Sequence, residues 1–165
     1  MANKIRAGVL TISDKGAKGL REDESGTVVL RLLESHGFEV VTRDIVPDDV
    51  HRIAHILVKW VDADGLSLIV TSGGTGLSPT DVTPQAMEQV IDYQVPGMAE
   101  AMRSASLKKT PHAMISRAMV GVRKATLIIN LPGSPRGAEE NLRVVLPALN
   151  HGLSKLAGDT TECAT

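Results

Sequence analysis

Leu66-Ser67-Leu68-Ile69-Val70-Thr71 runs directly into Ser72-Gly73-Gly74-Thr75-Gly76. A short run that is apolar through its middle reads as a strand covered on both faces, as the strands of a parallel sheet are. The glycines that follow let the backbone turn sharply and present successive N–H groups to an anion, although a purely structural turn reads the same way. In open α/β sheets ligands sit outside the carboxyl ends of the strands, so a loop of this kind at a strand end is where chemistry is sought first.

Working outward, Ile5 to Ser13 (IRAGVLTIS) and Phe38 to Val46 (FEVVTRDIV) are further β-branched, apolar strands. Between them lies a polar loop, Asp14 to Asp23, and then a helix that Ser25 caps and Gly37 terminates, with Val28, Val29, Leu32 and Leu33 as its apolar stripe. Pro47 breaks the second strand, and Asp48 opens a helix on which Val50, Ile53, Ala54, Leu57, Val58 and Val61 share one face. Downstream, Thr83-Pro84 reads as an N-cap and first helical position for a helix to about Ile91, and Pro96-Gly97 begins another to about Leu107. Arg117 to Arg123 and Ala125 to Leu131 form two strands about a tight turn at Lys124, and a last helix starts near Pro135 and carries Leu142, Val145, Leu146, Leu149 and Leu153. Strands alternating with helices predict a three-layer α/β/α fold, a mostly parallel sheet with helices on both faces. The 165 residues show no repeat or linker, which predicts one domain over residues 1–157 and a flexible tail over 158–165.

Composition narrows the function classes. Eighteen basic and 19 acidic side chains give a net charge of −1, which argues against a general nucleic-acid binder. Phe38, Trp60 and Tyr93 are the only aromatic residues, too few for a base-stacking platform. The single cysteine, Cys163, cannot form an internal disulfide and points to a reducing compartment. No signal peptide is evident at the N-terminus, and no apolar run approaches the roughly 18 residues of a membrane span, so a cytoplasmic protein is expected.

The glycine-rich turn lacks a Gly-Lys-Ser/Thr ending and any lysine between Ser72 and Gln89, so it is not a standard phosphate loop. Asp81 follows it closely, and a carboxylate beside a phosphate cradle makes sense where a cation joins the two. Magnesium does this, held by one or two carboxylates and by phosphate oxygens. Asp48, also after a strand end, is the natural second carboxylate; capping the Val50–Val61 helix is its other reading, with Asp49 able to share the two roles. His51 and His55 have a metal pair's spacing but share a charged face with Lys59 and Asp62, which reads as a solvated surface. Met87, Met98, Met102, Met114 and Met119 read as core or subunit-contact filler. Arg117, Arg123 and Lys124 read as an anion patch or, more simply, as a charged strand edge.

Taken in order, Ile45-Val46-Pro47-Asp48-Asp49, Thr71 to Gly76 with Asp81-Val82-Thr83-Pro84, Leu107 to Pro111 with Ser116-Arg117, and Asn130-Leu131-Pro132-Gly133-Ser134 resemble the MogA/MoaB family of molybdenum cofactor biosynthesis. The resemblance covers about residues 5–157. It implies a molybdopterin adenylyltransferase that transfers AMP from Mg-ATP to the terminal phosphate of molybdopterin and releases pyrophosphate. By motif, Asp48 and Asp81 match the family's magnesium-associated catalytic aspartates. Gly73, Gly74, Thr75 and Gly76, with Asn130, Pro132, Gly133 and Ser134, match the nucleotide site, and Ser13, Asp14, Ser106 and Ser116 the molybdopterin site. The resemblance also implies a homo-oligomer, trimeric or hexameric, and the pathway's molybdenum-insertion enzyme as a partner. A phosphate nucleophile is ionised at pH 7, so the lack of a compelling catalytic His or Cys fits. A MoaB-type protein that binds molybdopterin or nucleotide without transfer is the alternative, and a purely structural oligomer a third reading.

Overall fold

The computed structural model describes residues 4–163; residues 1–3 and 164–165, at the ends of the expected domain and tail, lie outside the described residues. Strands β1 (Arg6–Ile12), β2 (Glu39–Val46), β3 (Leu68–Ser72), β4 (Tyr93–Gln94), β5 (Val120–Arg123) and β6 (Thr126–Leu131) form one sheet in the order β2-β1-β3-β6-β5-β4. β2, β1, β3 and β6 run parallel, whereas β5 is antiparallel to both β6 and β4. The sheet is therefore mostly parallel.

Side-chain alternation along the strands divides the core into two layers. Ala7, Val9, Leu68, Val70, Leu127 and Ile129 face helices α2 (Glu24–Ser35), α5 (Pro96–Leu107) and α6 (Pro135–Leu156). Leu10, Ile12, Ile69 and Ile128 face α3 (Val50–Asp62) and α4 (Thr83–Val90), including Trp60 and Met87. Helices on both faces of a mainly parallel sheet are the expected three-layer arrangement. Met87 and Met102 are core residues, while Met114 is exposed.

Several local expectations change. Asp23, not Ser25, caps α2: its carboxylate accepts from the Gly26 N–H at 2.9 Å, from Thr11 Oγ1 at 2.8 Å and from Arg43 Nη2 at 2.7 Å. Ser25 instead lies buried, 3.1 Å from the hydroxyl of Ser72. The polar loop contains a short helix, α1 (Asp14–Ala17), which Ser13 caps through the Gly16 N–H. Thr83 is the first residue of α4 rather than its cap, because its hydroxyl donates to the Gly73 carbonyl at 2.9 Å. The edge strand β4 and a 3₁₀ turn at Pro111–Ile115 were not anticipated. Lys124 does take the expected tight turn, at φ 53°.

Candidate functional site

Because β1, β2, β3 and β6 are parallel, the segments after Ile12, Val46, Ser72 and Leu131 meet along one edge of the sheet. The loop after β3 is pulled against its neighbours: the Gly73 N–H donates to the Leu131 carbonyl at 3.1 Å, and Thr83 closes the loop from below. Gly73 and Gly74 adopt φ of 102° and 66°, in the region that favours glycine. The glycines also make room for carboxylates. A Cβ on Gly74 would lie 3.2 Å from Asp48 Oδ1, and one on Gly76 would lie 2.8 Å from Asp81 Oδ2. Two aspartates from different loops thus close over the same stretch of bare backbone.

Asp48 is held there by a reciprocal pair of bonds. Its Oδ2 accepts from the Asp14 N–H at 3.1 Å, and its own N–H donates to Asp14 Oδ1 at 3.0 Å. The two readings of this segment are divided between neighbours: Asp49 is the N-cap of α3, accepting from the Arg52 N–H at 2.8 Å, which leaves the Asp48 carboxylate turned toward the glycine loop. Replacing Asp49 by alanine is accordingly expected to cost about 1 kcal/mol of stability, the usual value of a lost cap, and to leave ligand binding unchanged. Thermal unfolding and ligand titration of the variant check this, and weakened binding at unchanged stability would reverse the assignment.

Burial pushes the Asp48 carboxyl above the ordinary aspartate range; the Asp14 N–H opposes the shift, and the negative charges of Asp14 and Asp81 add to it. Asp81 accepts from the Ser78 N–H at 3.0 Å, one loop turn away. Among the described residues no group of three or more His, Cys, Asp or Glu side chains converges on a metal-sized site. Two hard carboxylates whose charges repel do fit magnesium, which needs only one or two protein carboxylates when phosphates and water complete its shell. His51 and His55 are exposed on α3, as expected of a solvated face.

The glycine loop separates two cavities. The first, about 710 Å³, is lined by Ser13, Asp48, Gly73, Gly74, Asp81, Gly133 and Ser134 together with residues 21–25. The second, about 310 Å³, is lined by Thr75, Gly76, Ser106, Ser116, Pro132 and Ser134. The four residues matched to a molybdopterin site are therefore split, Ser13 and Asp14 on the side of Asp48 and Ser106 and Ser116 across the loop. Asn130 lines neither cavity: it is buried, and its amide donates to Thr71 Oγ1 at 3.0 Å and accepts from the Met119 N–H at 3.4 Å.

Sequence reasoning missed part of both walls. Among the described residues Arg21 is the only basic side chain lining the first cavity, against Glu22, Asp23, Glu24, Asp48 and Asp81; Asp23 is already paired with Arg43 at 2.7 Å. Arg103, Lys109 and His112 line the second. Position after the first strand end was the one available signal for Arg21. The expected alternatives for Arg117, Arg123 and Lys124 also need correction. Arg123 and Lys124 pair with Asp62, at 2.7 and 2.9 Å, and hold its carboxyl well below the usual range, while Arg117 faces the glycine loop.

The sequence profile of a family described as "Probable molybdopterin binding domain" matches residues 8–151. Gephyrin of Dictyostelium discoideum is 40% identical over 156 residues, covering 88% of this chain but only 22% of that protein. A molybdopterin adenylyltransferase of Helicobacter pylori is 39% identical over 157 residues, covering 94% of this chain and 89% of that protein. The crystal structure of the molybdopterin biosynthesis enzyme MoaB from Thermus thermophilus superposes with a TM-score of 0.89 at 49% identity, covering 94% of this chain and 98% of that one. With the fold, the loop order and these similarities in agreement, the chain belongs to the MogA/MoaB family of molybdopterin-binding domains.

Proposed function

We propose that the chain is a molybdopterin adenylyltransferase. One observation carries the reading: carboxylates from two separate loops, Asp48 and Asp81, close over the glycine-bearing backbone that divides two cavities. An enzyme joining two anionic substrates needs both held at one point, with a means of tolerating their charge. Similarity to the Helicobacter pylori enzyme over 94% of this chain and 89% of that one supports the same activity and, with it, ATP as a substrate.

In the reaction, a terminal phosphate oxygen of molybdopterin attacks the α-phosphorus of ATP. The bond from that phosphorus to the bridging oxygen of the β-phosphate breaks, and pyrophosphate leaves with the electron pair. Such transfers depend mostly on alignment and charge stabilisation. The loop N–H groups beyond that of Gly73, which is given to Leu131, and the hydroxyls of Ser13 and Ser134 are available to hold phosphate oxygens, and Arg21 to meet charge at the rim of the first cavity. Asp48 and Asp81 would hold magnesium, which supplies positive charge that offsets substrate repulsion and favours the departing pyrophosphate. Nothing has to remove a proton from an already ionised phosphate, so the step needs no general base.

The same reading takes residues 1–157 as the functional domain, in a cytoplasmic homo-oligomer that is trimeric by family resemblance and hands its product to the molybdenum-insertion enzyme. Among the described residues no helix is long and apolar enough to cross a membrane.

The test is an anaerobic assay with molybdopterin, ATP and magnesium, following adenylyl-molybdopterin and pyrophosphate. Wild type is expected to form both, and Asp81→Asn to do so at least about a hundredfold more slowly, the scale on which one catalytic electrostatic contact acts. Tight molybdopterin binding without pyrophosphate release would move the chain to the binding-protein reading.

A further inference from the structure

Arg117 lies in the extended segment between the 3₁₀ turn and β5, and its backbone N–H donates to the Thr75 carbonyl at 2.8 Å. Its side chain then reaches across the loop that carries Asp81. Nε donates to the Gly76 carbonyl at 2.8 Å, Nη2 to the Asp81 carbonyl at 2.7 Å, and Nη1 to Gln85 Oε1 at 3.3 Å. One guanidinium therefore ties together the two ends of the segment 76–81 and the first turn of α4.

The segment has few other anchors. Ser78 and Asp81 bond to one another in both directions, and Ser78 Oγ contacts Thr80 Oγ1, all within the loop itself. Leu77 is 63% exposed and residues 78–80 are exposed as well. Local bonds of this kind keep the shape of a turn but do not fix where it sits. Arg117 supplies that second constraint, because its planar fork can satisfy several oxygens at set angles, whereas a lysine ammonium has neither the reach nor the geometry to do so.

We propose that Arg117 is the positioning residue for Asp81: it fixes the Gly76–Asp81 segment so that the carboxylate stands over Gly76 and faces the cavity that Asp48 also lines. The inference rests on the use of Asp81 in the adenylyltransferase reading. It gives Arg117 a role through another residue and no contact with substrate.

The experiment compares wild type, Arg117→Ala, Arg117→Lys and Asp81→Asn in the full chain. Amide hydrogen exchange over residues 76–81 should quicken by about tenfold in Arg117→Ala while β1, β3 and β6 stay protected. Binding of manganese(II) in the presence of ATP, read by electron paramagnetic resonance, should weaken by about 10–100-fold, the usual cost of losing a group that orients a metal ligand. Turnover should fall in parallel, and Arg117→Lys should restore little of either. Unchanged exchange over 76–81, or faster exchange with unchanged manganese binding, overturns the proposal. If Arg117→Ala loses protection throughout the sheet, Arg117→Lys decides: full manganese binding in a folded lysine variant also overturns it. Asp81→Asn keeps the two ideas apart. Impairment there with a normal Arg117→Ala removes only the positioning role, while an unimpaired Asp81→Asn removes the use of Asp81 and this inference with it.

Discussion

Conversion of Asp48 to asparagine is expected to lower adenylyl transfer by about 10²–10³-fold while raising the thermal stability of the ligand-free protein at pH 7. The first effect follows from removing one of the two charges over the glycine loop. The second follows from the state of that charge before any ligand arrives. Burial, with Asp14 and Asp81 nearby, raises the folded-state pKa of Asp48 above its unfolded value. A group raised in this way contributes stability that is fully present below its unfolded pKa and is lost as the pH climbs through the folded one. At neutral pH the carboxylate is therefore a burden on the fold. Asparagine removes the charge and keeps an oxygen to accept from the Asp14 N–H, which donates to Asp48 at 3.1 Å in the native protein. The gain should shrink toward zero as pH falls below about 4, where the wild-type carboxyl is protonated in both states. Melting curves across that range, run beside the transfer assay, check both halves. A variant less stable than wild type at pH 7, or one that retains turnover, would contradict the account.

The second large effect is at Gly73. Its φ of 102° disfavours any side chain, and a Cβ there would press into the main-chain oxygen of Ile12, well inside van der Waals contact. Ile12 is fixed in register opposite Val46 in the β1–β2 ladder, so the obstacle cannot swing aside as a flexible side chain would. Backbone strain of about 1–3 kcal/mol and overpacking of similar size put Gly73→Ala at roughly 2–5 kcal/mol of lost stability. For a chain of this length that is a fall of about 10 °C in Tm. Gly97→Ala is the matched control. It lies in the first turn of α5 with open space where the Cβ would go, so its expected change is neutral to about 1 kcal/mol stabilising. Comparable Tm values for the two variants would show that the close approach to Ile12 is not what holds the loop.

The architecture and the meeting of Asp48 and Asp81 at the glycine turn were legible because each leaves a local trace. Buried parallel strands read as apolar runs, helix α3 reads as a stripe, and Gly73-Gly74 followed by Asp81 stands out against both. What escaped was decided across long separations. Glu22-Asp23-Glu24-Ser25 offers two good capping residues, and Asp23 takes the role with Thr11 and Arg43, from β1 and β2, bound to the same carboxylate. Asp48 and Asp49 are equally plausible caps in sequence; the Asp14 backbone, 34 residues away, holds one of them out of the helix. Arg117 bonds chiefly to main-chain oxygens, which every residue possesses, so no residue pattern could announce its partners. β4 spans two residues and owes its existence to β5, too short for any periodicity to register. The partition of the candidate serines between two cavities depends on where the 3₁₀ turn and α5 lie, and spacing along the chain does not encode that.

The partition has a consequence for how this protein could diversify. Along Gly73-Gly74-Thr75-Gly76 the barrier between the cavities is mostly naked peptide, and at Gly73 the chain has no space to grow a side chain. Gly73 and Gly74 border the first cavity and Thr75 and Gly76 the second within one continuous stretch of chain, so a backbone shift at either pair is passed on to the other. Adaptation has to come from the far walls, Arg21, Glu22 and Glu24 on one side and Arg103, Lys109 and His112 on the other. The centre of the site is thereby a frozen element shared by two cavities, and any new preference is written at the periphery, one cavity at a time.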